Sequence, residues 1–271
     1  MVGAFAMSES KIKKRKFDKL LKQHPNCIYC GGKTRSTSID HCPPIALFEQ
    51  RQRPSGMEFP ACSNCHEGTR TDDLVANMAS RIFPDAQSEI AKEEVEKSIK
   101  GVANNVPGLL EEMKPSFLQT KKVRRLQGNE NGNLHALNCD GPILQKHILR
   151  FAARPGFALH FEATNQVIPL TGGTGVSWVT NYNAYQNQLP NALLQLLPAP
   201  RTLRQGKKSV DGQFFYSSVI TDDSNMSAHY ATFRESFAIW AVCGIDADKI
   251  SSSEPMRHYK VFQPGFLSQK E

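Results

Sequence analysis

Polar and apolar positions divide the chain into stretches of different texture. Over residues 8–23, Ile12, Phe17, Leu20 and Leu21 recur at helical spacing among lysines, so a helix is expected there, with Ser8 or Ser10 as N-cap and Pro25 as its end. Over residues 26–71 periodicity fades and punctuation takes over, in Gly31-Gly32, Pro43-Pro44, Pro54-Ser55-Gly56 and Gly68. Helix-compatible sequence resumes over 74–82, over 86–100 with Ile90, Val95 and Ile99, and over 108–122 with an interruption at Pro115. The remainder is mixed. Residues 133–138 and 157–164 pattern as strands, and 143–152 as a helix with Leu144, Ile148 and Phe151 on one face. Further strands are expected over 213–221, 227–236 and 237–243, joined by turns such as Asp222-Asp223-Ser224-Asn225. The stretch Thr171 to Gly175 is glycine-rich but lacks a following Gly-Lys-Ser/Thr, so it reads as a turn and not as a phosphate loop. The expected class is α+β, with an antiparallel sheet covered by a helix in the C-terminal region. Four units follow: a basic helix (1–23), a compact punctuated unit (24–82), a helical segment (83–130) and an α+β region of unknown role (131–271).

Composition narrows the classes. Of 271 residues, 39% are hydrophobic and 22% charged, the balance of a chain that folds around a core. No apolar run approaches the ~20 residues of a membrane span, and lysines follow the short apolar start where a secretory signal has them in front. A soluble, cytoplasmic protein with no membrane partner is expected. The net charge of +7 is concentrated, because residues 1–56 hold 11 basic and 4 acidic side chains. A polyanion is the partner this suggests. The run Lys11, Lys13, Lys14, Arg15 and Lys16 fits either a solvated helix face or contacts to nucleic-acid phosphates, and Lys121, Lys122, Arg124 and Arg125 form a second basic group.

Seven cysteines cannot pair completely as disulfides, which makes metal binding the better reading. Cys27 and Cys30, and Cys62 and Cys65, form two Cys-x-x-Cys pairs, and four thiolates suit a closed tetrahedral Zn²⁺ site. Such a site staples a stretch that buries too little apolar surface to hold itself. Cys42, Cys139 and Cys243 read as small buried hydrophobes. The 31 residues between Cys30 and Cys62 exceed a simple finger's spacer, so they are expected to hold structure of their own. They contain Asp40-His41-Cys42-Pro43-Pro44, and His66 follows the last paired cysteine. A hard carboxylate ligand beside an imidazole suits phosphodiester hydrolysis: the carboxylate holds a divalent ion and the imidazole takes a proton from water. Other roles are open at the same residues. His41 fits a zinc ligand or a structural imidazole, His66 a helix cap, and Asp72 and Asp73 N-capping and dipole compensation at a helix start, with metal binding or support of His66 as their alternatives. His147 reads as a satisfied core residue.

Together these residues resemble the HNH, or His-Me finger, endonucleases, in the branch whose ββα metal finger carries two Cys-x-x-Cys zinc pairs. The likeness rests on Cys27-x2-Cys30-Gly31, Asp40-His41 with Pro44, Pro60-Ala61-Cys62-x2-Cys65-His66 and Gly68-Thr69-x2-Asp72-Asp73, and covers residues 24–82. It implies a structural Zn²⁺ on Cys27, Cys30, Cys62 and Cys65, and a catalytic Mg²⁺ or other divalent cation on Asp40 and His66. It implies His41 as general base and nucleic acid, with DNA expected, as substrate. One departure is Met57, where many relatives carry an Asn that positions the loop holding the base. A non-catalytic zinc module of the same fold, binding nucleic acid or protein, is therefore the alternative. Since one finger cuts one strand, double-strand cleavage would call for a homo-oligomer.

Overall fold

The computed structural model describes residues 9–83, 88–118, 120–121, 137–181, 183, 195–206, 208–251 and 258–269, with side chains from Lys14 onward in the first helix. The class is α+β. Helix α1 (Glu9–Gln23) is followed by a 3-10 turn (Ile28–Cys30), then by strands β1 (Ser38–His41) and β2 (Glu58–Ala61). The two strands pair antiparallel, with Asp40 opposite Phe59 and His41 opposite Glu58. Three helices follow: α2 (Ser63–Glu67), α3 (Arg70–Ser80) and α4 (Glu89–Asn105), then the short α5 (Leu109–Glu112). Helix α4 keeps the expected span roughly but not the expected face, because Ile90 and Ile99 are exposed while Ser98 and Val102 are buried. The ion pair of Glu94 with Arg81, at 2.7 Å, lies on that inward side.

The C-terminal region is built on one long helix, α6 (Pro142–Thr164). The sequence reading placed a helix over 143–152 and a strand over 157–164; both belong to α6, which continues through Pro155 and Gly156. Helix breakers in the chain's own sequence are overruled here by tertiary packing. A Cβ at Gly156 would come within 2.6 Å of Thr174 Oγ1 and 3.0 Å of Ala241 Cβ, so glycine lets the helix lie directly on the sheet. The Gly156 carbonyl is held by the Cys243 thiol at 3.3 Å. The strand expected over 133–138 falls mostly outside the described residues.

Strands β3 (Gly173–Thr180), β6 (Phe214–Ile220), β7 (Met226–Phe233), β8 (Phe237–Gly244) and β9 (Lys260–Phe262) form an antiparallel sheet in the order β6-β7-β8-β3-β9. A small hairpin, β4 (Arg204–Gln205) with β5 (Lys208–Ser209), lies outside it, and α7 (Ala247–Ser251) follows β8. The last part of the expected Thr171–Gly175 turn is the start of β3, which pairs on both sides, with β8 and with β9. Its glycines serve close packing: a side chain at Gly175 would collide with the Tyr259 hydroxyl. One face of the sheet packs on α6 through Phe151, whose ring meets Phe233 at 5.2 Å and Phe237 at 6.3 Å. Buried apolar side chains run without a break from Cys27 through α6 to Phe266 and Leu267. No helix among the described residues is long and apolar enough to cross a membrane.

Candidate functional site

The cysteine pairs are brought together by two different local devices. Cys27 opens the 3-10 turn that carries Cys30, and Gly31 leaves that turn in the left-handed region at φ 65°. The turn is closed by the Gly32 amide donating to the Cys27 carbonyl at 3.1 Å and the Lys33 amide to the Cys30 carbonyl at 3.2 Å. Cys62 stands at the N-cap position of α2 in extended backbone, and Cys65 lies in that helix's first turn. All four side chains are buried, and their sulfur atoms lie within 4.8 Å of one another. Zn–S bonds of about 2.3 Å place tetrahedral sulfurs ~3.8 Å apart, so the four donors are already near the spacing one zinc ion needs. The thiols also compete for charge. A hydrogen bond from Cys65 draws the Cys27 thiol down to about 5, whereas that same bond and burial push Cys65 up. Only a cation lets such a crowd ionise together, and the donor set therefore fits zinc. Of the remaining cysteines, Cys42 and Cys243 are fully buried and Cys139 is half-buried.

Alternation along β1 sends neighbouring side chains to opposite faces. Asp40 turns inward and is wholly buried. Its Oδ2 accepts from the Tyr29 hydroxyl at 2.6 Å and from Arg154 Nε at 2.8 Å, and its Oδ1 accepts from Arg154 Nη2. The same guanidinium donates from Nη1 to Asp73 Oδ1 at 2.5 Å and from Nη2 to the His41 carbonyl at 3.0 Å. Burial pushes the Asp40 carboxyl up, but the Arg154 charge and the hydrogen bonds outweigh it and leave the group below its ordinary value. Asp73 goes the other way, raised to about 6, because burial and the charge of Asp40 exceed what Arg154 returns. One guanidinium thus serves two carboxylates, and some negative charge is left over at this end of the cluster.

His66, on α2, meets that charge. Its Nε2 lies 3.9 Å from Asp40 Oδ1, and its side chain is 44% exposed. Two ligands at about 2.1 Å from one ion can stand this far apart, so carboxylate and imidazole could share a hard divalent cation. They would do so beside a guanidinium already bonded to the same oxygen, which weakens the hold. His41 is half-buried, with its ring edge-on to Phe17 of α1 at 5.9 Å. The structure therefore brings Asp40 and His66 together, and sets the His41 imidazole against the basic helix.

Other residues take roles the sequence did not disclose. Asp72 and Asp73 lie in the first turn of α3, as dipole compensation requires, but neither is its N-cap, which is Thr69; both carboxylates also pair with α6. Asp72 accepts from Arg150 Nε at 3.2 Å and stands 2.7 Å from His147 Nδ1, so His147 is satisfied by a carboxylate of α3. The loop beside the proposed base is positioned by Arg53, which donates to the carbonyls of Cys42, Pro43, Pro54, Gly56 and Met57. Met57 is buried and holds a positive φ of 50°, a conformation that Asn adopts more readily. In the basic helix, Lys14 and Arg15 are exposed and Lys16 pairs with Glu58 at 2.7 Å; Lys11 and Lys13 lie on α1, their side chains outside the described set. Lys121 is exposed, and Lys122, Arg124 and Arg125 lie outside the described residues.

No protein-family model, curated protein or solved structure matches the chain. Arg154 is the participant sequence reasoning missed, since 114 positions separate it from Asp40 and nothing local marks the pairing. The one local signal is a charged residue in the otherwise apolar stretch Phe151-Ala-Ala-Arg154-Pro-Gly-Phe157.

Proposed function

We propose that the chain is a metal-dependent endonuclease of the HNH type, hydrolysing phosphodiester bonds of nucleic acid, with DNA the expected substrate. The observation that carries this reading is the approach of His66 Nε2 to Asp40 Oδ1, 3.9 Å, on a hairpin and helix that the four-cysteine cluster pins together. In this reading zinc on Cys27, Cys30, Cys62 and Cys65 is structural, having no open coordination position. Asp40 and His66 hold Mg²⁺ or another divalent ion, which when bound supplies Lewis-acid stabilisation of charge developing on the phosphate. His41 takes the proton of the attacking water on its imidazole, and Phe17 keeps that ring's orientation through their edge contact. Arg154 fixes the backbone of His41 through its carbonyl, and Lys14 and Arg15 on α1 offer charge to the phosphate backbone. The working compartment is the cytoplasm, and cutting both strands takes two copies of the chain.

The test is plasmid nicking by zinc-loaded protein in Mg²⁺ or Mn²⁺. His41→Ala should lower the rate by about 10²–10⁴-fold, the range a general base contributes, with zinc content unchanged. Full nicking by His41→Ala would end this mechanism.

A second reading, a zinc-stapled module that binds nucleic acid without cutting it, is favoured by the saturation of Asp40 by Arg154 and Tyr29. Plasmid that is bound in a salt-dependent manner yet stays supercoiled across Mg²⁺, Mn²⁺ and Ca²⁺ would select it.

A further inference from the structure

Helices α1 and α4 are both lysine-rich and both turn one side to solvent, but they answer their charge differently. On α4, Lys92, Lys97 and Lys100 each pair with a glutamate three or four positions earlier, at 2.8, 3.2 and 3.9 Å. A helix face that is merely solvated is balanced in this way. On α1, Lys16 is held by Glu58, whereas the exposed Lys14, Arg15, Lys19 and Lys22 pair with no carboxylate among the described residues. Asp18 is the single acid over residues 14–37. Arg15, Lys19 and Lys22 recur at i, i+4 and i+7, so like charges share one side, an arrangement that destabilises an isolated helix. The other side, through Phe17, Leu20 and Leu21, is half-buried, with Phe17 edge-on to the His41 ring. The charge continues past the end of α1. After the first cysteine turn the chain doubles back: Arg35 bridges Asn26, the Ser36 amide donates to the Pro25 carbonyl at 2.8 Å, and the Ser36 hydroxyl donates to the His24 carbonyl at 2.9 Å. Lys33 and Arg35, exposed and equally unpaired, are thus tied to the end of α1 by the backbone that carries Cys27 and Cys30. Four thiolates on Zn²⁺ leave negative charge nearby, but those side chains are buried, whereas these cations stand in solvent.

We propose that α1 and the loop after Gly32 form one docking surface for the sugar–phosphate backbone of duplex nucleic acid, with Arg15, Lys19 and Lys22 on the helix and Lys33 and Arg35 on the loop neutralising phosphates. The proposal rests on the nucleic-acid reading above and specifies where the partner lies, on the helix whose other side sets Phe17 against His41. No large apolar side chain over residues 14–37 is exposed, Phe17 being half-buried and Tyr29 buried. The surface therefore offers no ring on which an unstacked base could rest, which favours a duplex over a single strand. It also offers no apolar face to sink into lipid, because that face of α1 is turned onto the protein. Phosphate neutralisation without base contacts implies little dependence on sequence.

The experiment is fluorescence anisotropy of a labelled DNA duplex with the full zinc-loaded chain, no other divalent ion added, across a salt series. Two double variants, Lys19→Gln/Lys22→Gln on the helix and Lys33→Gln/Arg35→Gln on the loop, remove exposed charges and should keep the melting temperature and zinc content of the parent. Each should lose affinity several-fold, and the slope of log K against log salt should become shallower by about 1 for each cation removed. The control Lys92→Gln/Lys97→Gln makes the same change in net charge on α4, where both lysines are answered by glutamates. It should leave affinity and slope close to the parent's, since charges more than about 10 Å from the duplex are screened. No duplex binding by the parent, or a control loss equal to that of the two doubles, would overturn the proposal. A loss confined to one of the two doubles would also overturn it, because helix and loop would then not be one surface. So would tighter binding of a single strand of equal phosphate number, or of phosphatidylserine vesicles, than of the duplex. Nicking judges the other reading separately: a parent that cuts while both doubles bind unchanged loses only this surface, and a parent that binds through it without cutting loses only the nuclease.

Discussion

Arg154 ties α6 to β1 and α3 through one buried guanidinium. Its side chain is 3% exposed, and it donates to two carboxylates and one main-chain carbonyl contributed by β1 and α3. Removing one partner of a buried ion pair leaves a desolvated charge behind, at a cost of about 3–5 kcal/mol. Arg154→Met should therefore lower stability by about that much in urea unfolding, because Asp40 is left with the Tyr29 hydroxyl alone against its charge. Arg154→Lys should lose less, since it keeps the charge while giving up the planar fork. Asp73→Asn should be milder still, because Asp73 already sits at about 6 and yields its proton reluctantly. A Met variant within about 1 kcal/mol of the parent would refute the weight assigned to this cluster. None of it was legible in advance. The Cys-x-x-Cys spacings announce their meeting because both members of each pair are local, whereas Asp40 reads as a lone acid until α6 arrives from a distant part of the chain. The same blindness explains Asp72 and Asp73, whose position near a helix start makes capping the natural reading while their partners lie 75 and 81 positions away.

At the scale of elements, α6 and the sheet it covers enclose a polar seam within an apolar interface. His160 Nδ1 lies 2.7 Å from Ser227 Oγ, Ser227 Oγ lies 2.7 Å from His229 Nε2, and His229 Nδ1 lies 2.8 Å from Ser218 Oγ. Ser227 has one proton to give, so it donates to one ring and accepts from the other. His160 Nε2 is buried with no hydrogen-bond partner, and a proton added there meets no acceptor. Burial accordingly lowers His160 to about 4, and burial, His160 and Arg201 lower His229 to about 3. The unfolded chain titrates such rings near 6.5, so both contribute stability fully above that pH. As pH falls from about 6.5 toward 4 and then 3, the unfolded state binds protons the folded state refuses, and stability drops by up to about 1.4 kcal/mol per ring per pH unit. Urea midpoints between pH 7 and pH 5 should fall more steeply for the parent than for His160→Gln. Identical pH slopes would remove the seam from the account, and any acid loss of zinc cancels in the comparison. Sequence pattern located the sheet around this seam well. The strands β6, β7 and β8 were expected from alternation and lie within a few residues of their observed ends. It failed where tertiary contact overrides local preference, in a helix that crosses Pro155 and in β3, whose glycines read as a turn because their close neighbours are remote in sequence.

Across the whole molecule, these dependencies bear on whether the cysteine-bearing unit is self-sufficient. Residues 1–136 contain both cysteine pairs, Asp40, His41 and His66, yet they lack what closes the unit from behind. Arg154 compensates Asp40, the Phe161 ring packs against Phe59 at 6.3 Å, and the Gly265 amide donates to the Tyr29 carbonyl at 2.7 Å. The segment after β9 also returns to α2, where the Leu267 carbonyl approaches Gly68 so closely that any side chain there would strike it. A chain truncated after residue 136 would expose these surfaces and bury an unpaired carboxylate. Its metal affinity should drop, because binding to four cysteines that are not already assembled also has to drive their folding. The expected outcome is a truncated chain that melts without a cooperative transition and yields its zinc to a chelator concentration that leaves the full chain loaded. Cooperative melting with equal zinc retention would show a unit that folds alone, and the C-terminal region would then be an attachment. If zinc retention and cooperativity fall together, the α+β region is the other half of one core, and its place in any phosphodiester chemistry is to hold Asp40 and the backbone of His41 where the chemistry requires them.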